Sequence, residues 1–90
     1  MSFEDIFSSK GRVKVLKVIL LHGEINITSI IRETGLNYTL VTKHINYLKS
    51  CNIIEEIVLG RVKIYRPNWV NPRVRYIDEM LRTLNGELNN

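Results

Sequence analysis

The sequence predicts a mainly α (α+β) fold with a three-helix core, a two-stranded β hairpin and one further helix at the end. Three observations predict it. Apolar residues recur at helical spacing in four segments, Gly and Asn residues fall near the segment ends, and a β-branched run broken by a glycine separates the third segment from the fourth. Ninety residues suit one domain, which we expect to span 1–90, with the core in 8–67 and the last helix in 71–85.

The first core helix is expected to run from a serine to a glycine. Ser8 or Ser9 can cap it, it continues to about His22, and Gly23 ends it. A short turn at residues 3–7 precedes it. The apolar stripe that predicts its buried face comprises Val13, Leu16, Ile19 and Leu20.

The second helix is expected to be brief, at about two turns. It starts at Asn26 or Thr28 and carries Ile30 and Ile31 toward the core. Gly35 ends it, because glycine readily takes the left-handed conformation that a sharp exit from a helix requires.

The third helix has two unlike faces. Asn37 is placed to cap it, it continues to about Cys51, and Asn52 can take the left-handed position that follows. Its buried face is predicted by an aliphatic stripe of Val41, Ile45 and Leu48. Its other face is rich in hydrogen-bond donors and lacks negative charge, because no acid occurs between Glu33 and Glu55. That outer face comprises Tyr38, Thr39, Thr42, Lys43 and Asn46.

A hairpin and a last helix complete the predicted fold. Residues 53–59 and 61–66, on either side of Gly60, are rich in β-branched and aromatic side chains. Asn71 and Pro72 suit a helix start, since Asn caps and Pro fits the first helical position. We expect this helix to dock partly on its own domain and partly on the same helix of a second copy. The predicted dimerisation stripe comprises Val74, Ile77, Leu81 and Leu84.

The order of these elements indicates binding to double-stranded DNA. A short helix joined by a tight turn to an exposed polar helix is the helix-turn-helix unit, whose second helix fits the major groove. The hairpin would then be a wing whose cations touch phosphate or an adjacent minor groove. The alternatives are a merely solvated helix face and lysines that protect a strand edge. The candidate DNA-binding residues are Asn37, Tyr38, Thr39, Thr42, Lys43 and Asn46 on the helix, and Arg61, Lys63 and Arg66 on the wing.

Residues 10–67 resemble the winged helix-turn-helix transcriptional regulators of the ArsR-like type, a family that includes many small archaeal proteins. The matching positions are Gly35-Leu36, Asn37 to Thr39, Val41-Thr42-Lys43-His44-Ile45, Leu48, Asn52-Ile53-Ile54-Glu55 and the run Lys63 to Asn68. Asn52 stands where the family has glycine, and the paired cysteines of its metal-sensing members are absent. The resemblance implies a DNA-binding homodimer that acts as a repressor, and it does not imply metal sensing.

Second-tier candidates for contact with the DNA backbone are Lys10, Arg12 and His44. Lys10 and Arg12 lie near the start of the first helix, where cations oppose the helix dipole, so an anionic partner would explain them. Solvent-facing charge is the alternative. His44 matches the histidine of the family motif, and it either packs on the helix flank or touches a phosphate.

Composition agrees with DNA binding and argues against catalysis. The net charge of +4 suits a polyanionic partner. No phosphate loop, nucleophile elbow or HExxH motif is present, so we expect no enzyme, no catalytic residue, no metal site and no cofactor. Cys51 is interpreted as a small buried residue, with a bridge between subunits as the alternative. The sequence also lacks a signal peptide or membrane span, which predicts a cytoplasmic protein associated with the nucleoid when bound to DNA.

Two other functions stay open at this stage. An architectural, chromatin-like protein would coat DNA with little sequence preference, which would fit a helix whose side chains rarely form bidentate contacts with bases. A winged helix can also act as a protein interaction module, although the absence of acids along the predicted DNA side argues against it.

Overall fold

The computed structural model describes residues 3–89 and, within them, the side chains of residues 4–84. The ends of the expected 1–90 range, residues 1, 2 and 90, lie outside the described residues. Within 3–89 the chain forms five helices and three strands, which confirms the predicted fold class. They are α1 (Phe3–Phe7), α2 (Lys10–His22), β1 (Ile25–Asn26), α3 (Ile27–Thr34), α4 (Tyr38–Ser50), β2 (Ile54–Leu59), β3 (Val62–Pro67) and α5 (Pro72–Asn89).

Three helices begin at the caps that the sequence predicts. In each, a side-chain oxygen accepts a hydrogen bond from a backbone N–H three residues on. The pairs are Ser9 with Arg12 at 3.2 Å, Asn26 with Ser29 at 2.9 Å and Asn37 with Leu40 at 2.9 Å. After α4, Asn52 has φ of 60°, the predicted left-handed conformation.

The core lies where α2, α3, α4 and α5 meet the inner face of the sheet. Its fully buried side chains are Val15, Leu16, Ile19, Ile30, Val41, Ile45, Leu48, Ile53, Val74 and Ile77. The stripe predicted on α4 is confirmed. On α2 three of the four predicted residues are buried, and Val15 is buried in place of Val13, which is only half-buried.

The sheet has a third strand that the sequence interpretation missed. The strand order is β1-β3-β2, and β1 pairs antiparallel with β3, with Ile25 opposite Tyr65 and Asn26 opposite Ile64. The expected two-stranded wing is therefore the outer part of a three-stranded sheet. Two residues are too few to show the alternation that marks a strand, and β1 forms only because β3 is beside it.

The last helix differs from the prediction in two respects. It continues to Asn89 instead of ending near residue 85, because one glycine weakens a helix without terminating it. The stripe predicted for dimerisation is also covered by the protein itself to a greater extent than expected. Val74 and Ile77 have no exposed surface in the single chain, and Leu81 is buried as well, so these side chains close the protein's own core.

Helix α2 packs against α4 through a glycine. A Cβ atom added to Gly11 would lie 2.8 Å from His44 Nε2, closer than real side chains approach one another. Gly11 is thus the position in α2 that lets the buried imidazole of α4 pack against the backbone.

Replacing Gly11 by alanine should destabilise the protein, although alanine favours helix. We expect a loss of about 1 to 2 kcal/mol in the free energy of unfolding, because the methyl group overlaps His44. In a His44→Ala background the same change should raise stability by up to about 1 kcal/mol, the helix propensity gain alone. Denaturant unfolding of the four proteins in this cycle measures both values. Equal effects in the two backgrounds would show that His44 does not limit the space at Gly11.

Candidate nucleic-acid interface

A cleft of about 580 Å³ separates the outer face of α4 from the wing. Predicted DNA-binding residues line it from both sides: Tyr38, Thr42 and Asn46 from α4, and Arg61 and Lys63 from the wing. The structure therefore brings the donor-rich helix face and the cationic wing tip together on one concave surface.

The side chains predicted on α4 differ in what they have available. Asn37, Tyr38, Thr39, Lys43 and Asn46 are exposed. The Oδ1 atom of Asn37 caps the helix, which leaves only its amide N–H groups for a ligand. No hydrogen bond involves the Asn46 side chain among the described residues, so its amide oxygen and nitrogen both remain available.

Thr42 has a different environment from its neighbours on α4. Its side chain is half-buried in the wall of the cleft. The hydroxyl oxygen is inaccessible and, among the described residues, has no hydrogen-bond partner. Thr42 can thus offer its methyl group more readily than its hydroxyl to a molecule in the cleft.

The wing cations divide between the two faces of the sheet. Arg61 follows Gly60 in the tip, and Lys63 lies on the same sheet face as Tyr65, toward α4. Arg66 lies on the opposite face, where its Nε atom is 2.9 Å from a carboxylate oxygen of Glu55. The prediction that groups Arg66 with the other two is therefore wrong about its position, because alternate strand residues face opposite sides.

One acid lies inside the cleft, and the sequence interpretation did not identify it. Glu56 receives a hydrogen bond from the Tyr65 hydroxyl at 2.9 Å, and the Lys49 ammonium is 3.1 Å from its other oxygen. The Tyr65 hydrogen bond is the main cause that lowers the pKa of Glu56. Burial, together with Glu56, raises the pKa of Tyr65 to about 12. This ion-pair cluster connects α4, β2 and β3, which no local sequence pattern indicates.

Arg12 is held by the protein itself, contrary to the prediction of a backbone contact. Its guanidinium lies 3.5 Å from the centre of the Tyr47 ring and donates hydrogen bonds to the Asp5 carbonyl and, at 3.4 Å, to the Ser8 hydroxyl. It therefore joins α1 to α4. Lys10, by contrast, is exposed. It directly precedes Gly11, which packs against α4, and it stays a candidate for contact with the DNA backbone.

His44 is buried, with 6% of its surface exposed, which agrees with the first of its two predicted roles, packing on the helix flank, and leaves little surface for a phosphate. Its Nδ1 atom is inaccessible and has no partner among the described residues. Burial, with smaller effects of the positive charges of Arg12 and Lys43, lowers the pKa of His44 below its ordinary value of 6.5. The residue packs as a neutral ring between α2 and α4.

Within the described part of the chain, no three His, Cys, Asp or Glu side chains come together as a metal ion would require. None of the helices in that part is long and apolar enough to cross a membrane. Cys51 is half-buried at the end of α4.

Comparison by sequence finds no matching family model and no matching curated protein. Comparison by structure finds many similar chains. The homodimeric winged helix-turn-helix DNA-binding domain of Mb0332 from Mycobacterium bovis, a possible ArsR-family transcriptional regulator, has a TM-score of 0.74 at 21% identity, covering 93% of this chain and 75% of that one.

Two repressors are similar to the same degree. The antimony-specific transcriptional repressor AntR has a TM-score of 0.78 at 20% identity, covering 96% of this chain and 76% of its own. The transcriptional repressor BigR from Xylella fastidiosa has a TM-score of 0.76 at 15% identity, covering 90% and 80%. At these identities the likeness establishes the fold, and the predicted winged helix-turn-helix fold is confirmed.

Stability should fall on mild acidification because of His44. The folded state disfavours protonation of the His44 ring. As the pH falls below about 6.5, the ring is therefore protonated in the unfolded chain before it is protonated in the folded one, which favours unfolding. We expect the free energy of unfolding to decrease from about pH 7 toward pH 5.5, with a slope of up to about 1.4 kcal/mol per pH unit. The loss of stability linked to Glu56 occurs at more acidic pH. The pKa of Glu56 is also lowered, so this loss begins only near its ordinary value of 4.5.

Urea titrations at several pH values measure this slope, and His44→Gln provides the comparison. The variant cannot titrate at this position, so its stability should be nearly constant across the same interval. A wild-type slope that the variant reproduces would assign the effect to another group.

Proposed function

We propose that the protein binds double-stranded DNA as a homodimer and regulates transcription. One observation supports this most directly: the donor-rich face of α4 and the cations of the wing tip line the same cleft. A helix that presents such a face beside a basic hairpin suits a duplex, with the helix in the major groove and the hairpin on the neighbouring backbone.

Base reading is proposed for the exposed face of α4. Asn46 is suited to adenine, because its free amide can form a bidentate contact in which the NH2 group donates to adenine N7 and the oxygen accepts from the N6 amino group. Lys43 can reach guanine acceptors or a phosphate, and Tyr38 and the Thr42 methyl can pack on thymine methyl groups. Asn37 is less suited to bidentate contact, because its oxygen caps the helix.

Backbone contact is proposed for four exposed cations in each protomer: Lys10, Lys43, Arg61 and Lys63. Unlike Arg66, none of them forms an ion pair among the described residues. Unpaired cations on one side of a small basic domain are what an electrostatic footprint on DNA requires.

The homodimer is proposed to use apolar residues that the monomer leaves exposed. Leu84 lies one turn after Leu81 on α5 and is 47% exposed. Leu21, at the end of α2, is 79% exposed and lines a groove of about 410 Å³ between α2 and α5. Both would lose water contact on pairing, and a two-fold dimer would present two α4 helices about one DNA turn apart.

A regulator is favoured over the two other functions by the free side chain of Asn46, a base-reading group that a non-specific coating protein does not need. The fold is shared with the two repressors named above, which supports repression as the proposed outcome and the cytoplasm as its place. Selection of bound sites from random DNA tests the proposal. Paired half-sites at a fixed spacing are expected. Selected sequences without a shared motif would indicate an architectural protein. If no DNA is bound, the protein is a protein interaction module.

Affinity for DNA should depend steeply on salt. Four cations in each of two protomers could neutralise about 6 to 8 phosphates, so log Kd should change with log salt concentration with a slope of about 5 to 7 in magnitude.

Arg61→Ala should weaken binding to all sequences alike and reduce this slope. Arg66→Ala removes the same charge at the far end of β3 from the tip, where the guanidinium is already paired with Glu55, and is the matched control. The proposal places Arg61 in the interface and Arg66 outside it. Equal losses of affinity for both variants would contradict it.

Asn46→Ala should change sequence preference more than overall affinity. If Asn46 contacts an adenine, the variant should lose about 1 to 3 kcal/mol of discrimination at one base pair of each half-site. Competition binding with single-base variants of the selected site measures this. Ser50→Ala, in the last turn of the same helix, should keep the wild-type pattern. A discrimination pattern unchanged in Asn46→Ala would remove this residue from the base-reading group.

A further inference from the structure

The tip of the wing exposes apolar side chains that neither the core nor a charge-based interface explains. Val58, Leu59 and Val62 are 59%, 62% and 50% exposed. Single apolar residues on a surface are ordinary, but a cluster of three at the end of one hairpin suggests a contact surface.

The pairing of the strands determines how this cluster is arranged. Leu59 is directly opposite Val62, and these two flank the tip turn formed by Gly60 and Arg61. Val58 is opposite Lys63 on the other sheet face. The last two rungs of the hairpin therefore have apolar groups on both faces, with cations beside them.

Charge and continuity indicate which partner covers the tip. Arg61 and Lys63 border the apolar residues, which favours an anionic partner. Val62 also lines the cleft with α4, so the tip continues the surface proposed for DNA. A partner lying along this surface would carry negative charge at its rim and offer an apolar interior at the wing.

The stacked bases of a duplex provide such an interior. Phosphates border the minor groove, which is about 6 Å wide and admits single side chains. Apolar side chains inserted there part a base step and kink the duplex by about 20 to 90°.

We propose that the wing tip is a minor-groove wedge, in which Leu59 inserts at a base step, Val62 packs behind it and Arg61 binds the bordering phosphates. This inference rests on the proposed DNA binding. It implies sequence preference at a position without hydrogen-bonded base contacts, because pyrimidine–purine steps unstack most easily. The wing would then select a flexible step at a fixed distance from the sequence that α4 reads.

Two measurements on a duplex carrying the selected half-sites test the wedge. Energy transfer between dyes at the duplex ends reports bending, and 2-aminopurine at the step beneath the wing reports unstacking. The wild-type protein should bend the duplex by at least about 20° and raise the 2-aminopurine fluorescence. Leu59→Ser and Val62→Thr should reduce both signals while the salt dependence of binding stays the same, since no charge is lost. Val70→Thr alters a 90% exposed valine outside the wing and should behave like the wild type.

Three outcomes would overturn the wedge and leave the proposed DNA binding intact. One is salt-dependent binding to an unbent duplex. Another is bending that Leu59→Ser and Val62→Thr leave unchanged. The third is a change of oligomeric state in these variants without DNA, measured by sedimentation, which would make the tip a protein contact along the open edge of β2. Failure of the wild-type protein to bind DNA at low salt would instead overturn the proposed function.

Discussion

One carboxylate links the wing to α4. Glu56 lies on β2, accepts a hydrogen bond from Tyr65 of β3 and is paired with Lys49 of α4, so three elements meet at its two oxygens. The Glu56 carboxylate is half-buried, and with both partners in place the cluster favours one arrangement over neighbouring ones. It also neutralises Glu56, the one acid that lines the cleft among the residues the structure describes, which would otherwise repel phosphate. The concave surface is thus both shaped and made suitable for an anion by the same contact.

The parts of the fold that depend on neighbouring residues could be predicted from the sequence. Caps at Asn26 and Asn37 and the left-handed Asn52 need only their own chain segment, and the structure has all three as expected. The parts that depend on distant residues could not. Strand β1 exists because Tyr65 lies beside Ile25, and the stripe on α5 has the same spacing whether the core or a second copy covers it. Periodicity predicts that a face is buried, but it does not show what covers it.

The same distinction applies to the candidate site. Tyr38, Asn46 and Arg61 were placed correctly on one surface, since exposed polar residues on a predicted helix and turn have few alternatives. Arg12, His44 and Arg66 are engaged by the fold itself, because each contacts a residue far along the chain. Tyr47 lies under the Arg12 guanidinium, Gly11 makes room for His44, and Glu55 holds Arg66. A charged or polar residue is available to a ligand only when the fold has not already paired it.

The chemistry left exposed suggests how selectivity would arise. Asn37 uses its oxygen for the cap and Thr42 conceals its hydroxyl, so α4 keeps few groups for hydrogen-bonded base reading, with Asn46 the best suited. The cations supply affinity without sequence information. An apolar wing tip would add discrimination of a different kind, because it responds to how easily a base step deforms and not to which donors and acceptors the step presents. Because Glu56 links α4 to the wing, it would also help to fix the spacing between the two features of a preferred site.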